Sequence, residues 1–205
     1  MKKFELTNEF ITNMFGTKLF RIRALVEFGD VEAGELGGYV EKESNLGHDG
    51  NAWVCGNAWV CGNAQVSGNA WVCGNAQVSG DARVYDDARV YDDAWVCGDT
   101  RVYGNAWVRG DAQVSGNARV CSDEDYAYAH GFGSVNRTTT FFRLKDGGVG
   151  VRCGCFYGTL AQFRDKIRET HGETKKAQEY LMLADLMELR FEEDENEVGN
   201  RKYVE

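Results

Sequence analysis

The chain has 205 residues, a length that suits one ordinary domain or one elongated repeat array with small ends. Its hydrophobic fraction of 43% argues against a disordered or collagen-like chain. Its formal net charge of -9 argues against a general nucleic-acid or membrane-surface binder. Because no apolar run reaches the roughly 20 residues that span a bilayer, and no signal peptide follows the charged start, we expect a soluble cytoplasmic protein.

Residues 1–46 are predicted to form an N-terminal cap. They contain a strand-like segment at 19–22 and a glycine-rich stretch at 34–38. Val40 and Leu46 are six residues apart and fit an irregular first coil of the repeat that follows. Terminal units of a repeat array need caps because an open end exposes strand edges and core side chains.

Residues 47–122 carry a six-residue repeat without a slip. Each unit reads small-x-Val-x-turn-turn, and an alanine stands two residues before every valine except where Thr100 replaces it. The alternation Ala-x-Val places alanine and valine on one side of a short strand and the x residues on the other. Glycine, asparagine and aspartate then supply a bend, because they tolerate left-handed backbone. The valines are Val54, Val60, Val66, Val72, Val78, Val84, Val90, Val96, Val102, Val108, Val114 and Val120.

A six-residue period with strands too short for hairpins indicates a parallel β-helix. The pattern V-x-G-N-A-x resembles the hexapeptide repeat of left-handed β-helix proteins. This resemblance implies a triangular coil of three hexads, with ~4.8 Å between coils. The flanking segments GDVEAGELGGYVEKESNL and TTTFFRL...VRCGCFYGTLAQF are similar to those of uncharacterised hexapeptide-repeat proteins of bacteria and their phages. The expected fold class is mainly β, a left-handed parallel β-helix of about four to five coils with a small α+β C-terminal cap.

Residues 123–205 are predicted to form that C-terminal cap, with a hairpin first. Strand-like segments at 137–144 and 149–153 flank the turn residues 145–148, whose sequence KDGG is a hairpin signal.

Two helices are expected after the hairpin. Thr159 and Gln162 form a capping box that predicts the start of a short helix. A longer helix is expected from about residue 174. Its apolar stripe is wider than one packing surface needs, so we assign an oligomer interface to Leu183 and Leu186.

The x residues before the valines form three columns when residues of successive coils stack. The columns are Trp53-Trp71-Arg89-Trp107, Trp59-Gln77-Trp95-Gln113 and Gln65-Arg83-Arg101-Arg119. All five tryptophans are therefore predicted to point away from the core, and contiguous exposed aromatic surface normally marks an interface. We expect a homo-oligomer, with a trimer favoured over a dimer. Its interface is assigned to Trp53, Trp59 and Trp95.

A second interpretation of the aromatic columns is a stacking and cation–π platform for a planar ligand. On the face of the third column, Arg83, Arg101 and Arg119 alternate with Tyr85 and Tyr103, which follow the valines. Such an arginine ladder repels itself unless something negative offsets it. Turn aspartates such as Asp81, Asp87 and Asp99 are one explanation. A bound phosphate, with a base stacked on tyrosine, is the other. The candidate ligand-binding residues are Trp71, Arg83, Tyr85, Arg89, Tyr91, Arg101, Tyr103, Trp107 and Arg119.

Catalysis, a metal site and a cofactor are not expected. The best-known proteins that the repeat resembles are acyltransferases, which generally use a histidine base on a coil. His48, His130 and His171 all lie outside the regular hexads, and His130 is the one candidate base beside a structural alternative. The seven cysteines show no structural zinc spacing, and most are expected to be free thiols in a reducing cytosol. Cysteines of the repeat have no paired histidine there, so nucleophilic catalysis is not expected either.

The sequence favours a non-catalytic oligomeric binding protein. In its most specific form, this is a phage-encoded sponge or blocker in the host cytoplasm. Its target would be a nucleotide-type anionic signal or a host defence protein. The phage origin rests only on the resemblance of the flanking segments. A structural or adaptor protein that binds a protein partner is the first alternative, and an acyltransferase is the second.

Overall fold

The N-terminal segment forms an antiparallel sheet that continues into the repeat. The computed structural model describes residues 1–133 and 136–192. Strands β1 (Phe4–Thr12), β2 (Lys18–Ala24) and β3 (Leu36–Val40) pair in that order as an antiparallel sheet. A short 3₁₀ turn, Glu43–Asn45, connects this sheet to the first hexad.

The repeat folds as a parallel β-solenoid of about five turns. Each hexad contributes a strand of two residues, the x residue and the valine, and strands three hexads apart pair in parallel. The strands are β4 (Trp53–Val54), β5 (Trp59–Val60), β6 (Gln65–Val66), β7 (Trp71–Val72), β8 (Gln77–Val78), β9 (Arg83–Val84), β10 (Arg89–Val90), β11 (Trp95–Val96), β12 (Arg101–Val102), β13 (Trp107–Val108), β14 (Gln113–Val114) and β15 (Arg119–Val120).

The solenoid has three faces, which correspond to the three predicted columns. We call β4, β7, β10 and β13 the tryptophan face, β5, β8, β11 and β14 the mixed face, and β6, β9, β12 and β15 the arginine face. On the tryptophan face Arg89 pairs with both Trp71 and Trp107. On the arginine face Arg101 pairs with Arg83 on one side. The predicted stacking of successive coils is therefore confirmed.

The axis of the solenoid is filled by the alanines and valines of the hexads, which are fully buried. Such a column is stabilised mainly by apolar area removed from water, at about 25 cal/mol per Å². Thr100 takes one alanine position and is also buried. Its hydroxyl donates a hydrogen bond of 2.7 Å to the Cys97 carbonyl oxygen, so the polar group is satisfied within the core.

The corners of the coil are held by a left-handed residue followed by a side-chain ladder. Gly80 has a φ of 72°, whereas Asp86 adopts the same region at 56°. At the next position Asn63 Nδ2 donates to Asp81 Oδ1 at 3.1 Å, across one coil. Asn69 donates to Asp87 in the same way at 3.0 Å. Two of the three aspartates proposed to neutralise the arginine column therefore accept hydrogen bonds from asparagines at the corners.

An alanine at Gly80 is expected to destabilise the solenoid more than an alanine at Gly16. Both glycines have a positive φ, 72° at Gly80 and 80° at Gly16, so both substitutions carry the left-handed penalty of about 1–2 kcal/mol. A Cβ at Gly80 would also lie 2.9 Å from the Gly98 nitrogen of the next coil, while a Cβ at Gly16 meets nothing within 4 Å. Denaturant unfolding of Gly80→Ala and Gly16→Ala measures the difference. Equal losses in the free energy of unfolding would contradict the prediction, because the contact with Gly98 would then add no cost.

Trp53 does not point to solvent, and the prediction for this tryptophan is wrong. The N-terminal cap folds over the start of the tryptophan face, so Trp53 is 0% exposed. The Phe28 ring meets its indole edge-on, with centroids 5.4 Å apart. In contrast, the predicted irregular first coil is confirmed, since Val40 pairs in parallel with Val60 and Leu46 bridges to Val66.

The C-terminal cap consists of an antiparallel sheet and two helices. Its strands are β16 (Tyr126–Phe132), β17 (Arg137–Arg143), β18 (Val149–Cys153) and β19 (Phe156–Thr159), paired in that order. The helices are α1 (Leu160–His171) and α2 (Lys175–Phe191). The hairpin of β17 and β18 and both helices lie where the sequence predicts them.

The helices pack on the sheet through a core separate from that of the solenoid. Phe141 and Val151 of the sheet meet Phe163 of α1 and Tyr180 of α2. Leu183, which the sequence assigns to an oligomer interface, is only partly exposed because it packs against this core. Leu186 is 54% exposed and remains available at the surface.

A buried ion pair joins the two parts of the molecule. Asp125 lies in the 3₁₀ turn Asp123–Asp125, and its Oδ2 accepts hydrogen bonds from the backbone nitrogens of Cys121 and Ser122. Arg143 Nε lies 3.4 Å from Asp125 Oδ1, a distance typical of an ion pair.

None of the helices in the described part of the chain has the length and apolarity required to cross a membrane.

Candidate ligand-binding face

A groove runs along the arginine face, with a volume of about 340 Å³. Strands β6, β9 and β12 bring its side chains together from three successive coils. The groove is therefore a direct product of the parallel register, which stacks x residues from successive coils. It is lined by Gln65, Ser67, Gly68, Arg83, Tyr85, Asp86 and Arg101.

Arg83 and Arg101 are the cationic centre of this groove. They occupy paired positions on β9 and β12, about 4.8 Å apart along the solenoid. Within residues 1–133 and 136–192, neither arginine lies within ion-pair distance of a carboxylate. Asp86 lines the edge of the groove, and its Oδ2 accepts a hydrogen bond of 3.3 Å from the Gly104 nitrogen. The groove thus holds two guanidinium groups and one carboxylate.

The tyrosines beside the arginines form a stacked pair. The Tyr85 and Tyr103 rings have centroids 5.2 Å apart and planes 5° from parallel. Burial raises the pKa of the Tyr85 hydroxyl, although the Arg101 charge opposes that effect. The Tyr85 ring lines the groove, whereas Tyr103 is almost fully buried and supports it from the next coil. Tyr103 is therefore a poor candidate for direct ligand contact.

Arg119 is not part of the exposed arginine ladder, and its assignment to ligand binding is wrong. It is only 6% exposed, because the C-terminal cap covers the last coil through the bridge between Ala118 and Leu144. Its Nη1 donates to the Asp99 carbonyl oxygen at 2.6 Å, and its Nη2 lies 3.2 Å from Asp99 Oδ2. Neutralisation by a turn aspartate therefore explains this one arginine of the column.

On the tryptophan face, the chain itself occupies much of the predicted platform. The Arg89 guanidinium lies 4.9 Å from the centre of the Trp107 ring, and the Tyr91 ring lies 6.4 Å from the same indole. Trp107 is 40% exposed, while Trp71 is half-buried against the core. Because Arg89 already covers one surface of Trp107, this face offers a ligand less accessible aromatic surface than the sequence suggests.

The two faces that carry tryptophans are partly covered or cross-linked by the chain itself. Trp95 of the mixed face is half-buried, and the Arg152 guanidinium of β18 lies 5.8 Å from its ring centre. Cys55 and Cys73 form a disulfide on the tryptophan face, across one coil, and the other five cysteines are free thiols. Trp59 is half-buried on the mixed face.

The three histidines make contacts that fit structural roles. His48 accepts a hydrogen bond from the Lys3 nitrogen and lies 2.9 Å from Glu43 Oε1. His130 Nδ1 lies 2.9 Å from the Thr138 hydroxyl oxygen. His171 stacks on a tyrosine of α2. The described residues contain no group of three or more His, Cys, Asp or Glu side chains placed to hold a metal ion.

The sequence prediction missed an exposed apolar patch at the tip of the β1–β2 hairpin. Phe10, Ile11, Met14 and Phe15 are all exposed there. The signal was present in the segment NEFITNMFG, where apolar residues surround a turn that the hexad pattern does not explain. We call these four residues the hairpin tip. Gln65, Ser67 and Asp86 of the groove were also missed as candidate ligand-binding residues, although Gln65 stands in the same column as Arg83 and Arg101.

The described geometry agrees with one family comparison. A family model for the YdcK β-solenoid repeat matches residues 64–80, 76–92, 82–98 and 112–121. No curated protein matches the chain. The matched segments lie in the solenoid and include most of the groove. Over these segments, the chain is similar to the YdcK β-solenoid repeat.

Proposed function

We propose that the protein is a non-catalytic binding protein that holds an anionic ligand with a planar ring, of nucleotide type, in the groove of the arginine face. The observation that carries this proposal is the pair of guanidinium groups of Arg83 and Arg101. They lie on neighbouring coils in register and lack an ion-pair partner among the described residues.

The arrangement favours a phosphate-type anion. Two like charges about 5 Å apart repel each other by about 1 kcal/mol in water, and a bound anion converts that repulsion into attraction. The planar guanidinium fork can donate two parallel hydrogen bonds to phosphate oxygens. Asp81 and Asp87 do not supply this charge, since their carboxylates accept hydrogen bonds from the asparagines of the corners.

The tyrosine pair favours a ligand that also carries a ring. Tyr85 lines the groove beside both arginines, and Tyr103 fixes its plane from below. Stacking of one base on an aromatic side chain contributes about 1–3 kcal/mol. A nucleotide carries both a planar ring and a phosphate, and one groove of this size can contact both.

Calorimetric titration with a panel of cyclic and linear nucleotides tests the proposal. We expect one class to bind at tens of micromolar or tighter. Arg83→Ala and Arg101→Ala are each expected to weaken that binding by about tenfold, because each removes a charge-assisted hydrogen bond. Arg89→Ala is the matched control, since Arg89 occupies the equivalent strand position on the neighbouring tryptophan face.

Two results would contradict the proposal. If no member of the panel binds at tens of micromolar, the groove does not hold a nucleotide. If Arg89→Ala abolishes binding while Arg83→Ala and Arg101→Ala do not, the ligand lies on the tryptophan face.

The oligomeric and biological parts of the proposal need separate measurements. We propose a homo-oligomer, with a trimer favoured, and native mass spectrometry would report the subunit number together with any co-purified small molecule. Sequestration of a host defence signal by a phage-encoded protein is the specific biological form, and it rests on the resemblance of the flanking segments. The non-catalytic assignment fails if acetyl-CoA turnover is found and is lost in His130→Ala.

A structural or adaptor protein that binds another protein is the second candidate. The hairpin tip favours it, because four apolar side chains within six consecutive residues of the β1–β2 hairpin are exposed. A stoichiometric protein partner that co-purifies equally with the wild type and with the Arg83→Ala/Arg101→Ala variant would support the adaptor function. Its loss in that variant would instead assign the partner to the arginine face.

A further inference from the structure

The C-terminal cap contains a second cavity, independent of the solenoid groove. It has a volume of about 270 Å³ and lies between α1, α2 and the turn that joins β18 to β19. Ligand pockets for drug-sized molecules start at about 300 Å³, so this cavity suits a molecule with a single ring.

The wall of the cavity is aromatic. Phe163 meets Tyr180 edge-on, with ring centroids 5.8 Å apart, and its ring lies 5.5 Å from that of Phe156. The Tyr180 hydroxyl and Cys153 Sγ in this wall already have hydrogen-bond partners. The Tyr180 hydroxyl donates to the Phe132 carbonyl oxygen at 3.2 Å, and Thr139 donates to Cys153 Sγ at 3.2 Å. The wall therefore offers apolar contact to a ligand.

The Tyr180 hydroxyl adds no negative charge to this wall at neutral pH. Burial raises its pKa to about 12, so the group stays protonated. An anion in the cavity would meet a neutral hydroxyl there rather than a phenolate.

The rim of the cavity is cationic. The Arg137 guanidinium and the Lys166 ammonium line it, and no carboxylate does. Lys166 is paired with Glu169 at 2.8 Å, just outside the lining. Arg137 lies within ion-pair distance of no carboxylate in the described ranges of the chain. On a protein with a net charge of -9, this combination is complementary to a small anion.

The turn between β18 and β19 positions Arg137. Gly154 has a φ of 58°, and a Cβ there would lie 2.0 Å from Arg137 Nη1. The guanidinium group therefore rests directly against the glycine backbone beside the cavity. Only a residue without a side chain allows both the turn and this placement.

We infer that the cap cavity binds a small organic anion with a single aromatic ring, with the ring against Phe156, Phe163 and Tyr180 and the anionic group at Arg137. Benzoate and phenyl phosphate carry the two kinds of anionic group that fit this description. Either molecule would pack its ring against the aromatic wall and place its anionic group at the cationic rim.

Titration calorimetry with four probes tests the inference. Benzoate and phenyl phosphate carry both features, inorganic phosphate lacks the ring and benzyl alcohol lacks the charge. We expect at least one of the first two to bind below about 1 mM and the last two to bind about tenfold more weakly or worse. The comparison of benzoate with phenyl phosphate identifies the anionic group.

Arg137→Gln is expected to weaken the binding of the best probe by about tenfold, because it removes the guanidinium charge from the rim. Arg168→Gln is the matched control, since Arg168 is an exposed arginine of α1, paired with Asp165, outside the cavity. Arg137 is exposed, so circular dichroism should show an unchanged fold. As a second readout, the bound probe should slow the alkylation of Cys155, which also lines the cavity.

The inference is overturned if neither ring anion binds below about 1 mM, if benzyl alcohol binds as tightly as benzoate, or if Arg137→Gln binds like the wild type. Because the Arg83→Ala/Arg101→Ala variant leaves the cap intact, these probes should bind it normally. Failure at one site is therefore distinguishable from failure at the other.

Discussion

Val84→Asp is expected to prevent the chain from folding. Val84 is fully buried on the solenoid axis, where it pairs in register with Val66 and Val102 of the neighbouring coils. A carboxylate there would be surrounded by alanine and valine side chains, without a partner. The cost of such a buried charge is at least about 4 kcal/mol, a large fraction of the stability of an ordinary domain.

Soluble yield and thermal unfolding followed by circular dichroism measure this effect. The matched control is Arg83→Asp, which introduces the same side chain one residue earlier, on the exposed side of the same strand. We expect the control to fold and to melt close to the wild type. If Val84→Asp also melts within a few degrees of the wild type, the valines do not form the axis.

Asp125→Ala is expected to destabilise the junction between the solenoid and the C-terminal cap by about 3–5 kcal/mol. The substitution removes the Asp125 carboxylate from the buried Arg143 guanidinium and also removes a hydrogen-bond acceptor from the backbone nitrogens of Cys121 and Ser122. A buried charge that loses an opposite charge cannot recover its hydration in exchange.

Chemical denaturation of Asp125→Ala gives the free energy of unfolding. Asp165→Ala is the control, because Asp165 forms an exposed pair with Arg168 and such surface pairs contribute at most about 1 kcal/mol. If the free energy of unfolding falls by a similar, small amount in both variants, the junction ion pair does not stabilise the attachment of the cap.

The hexad pattern predicted the parts of the fold that depend on local periodicity. The x-Val strands, the buried axis and the three columns all follow from one alternation, because every coil repeats the same register. The capping box of Thr159 and Gln162 is also local and is confirmed by hydrogen bonds in both directions. The left-handed sense of the coil stays a prediction.

The errors lie where the caps fold back on the solenoid. Trp53 and Arg119 occupy the same kind of position as Trp107 and Arg101, yet the first two are buried because a cap covers the coil at each end. A period describes one coil and its neighbours but contains no information on which coil is last. The cap cavity was also missed, because its lining comes from residues far apart in sequence with no shared spacing.

The repeat also determines how the arginine face could change in evolution. A duplicated or deleted stretch of 18 residues, the separation of Cys55 and Cys73, would return every side chain to its own face and lengthen or shorten the molecule by ~4.8 Å. An insertion of a single hexad between Arg83 and Arg101 would instead move Arg101 and all later residues to the neighbouring face and separate the two guanidinium groups. Gene rearrangements that preserve binding should therefore be multiples of three hexads.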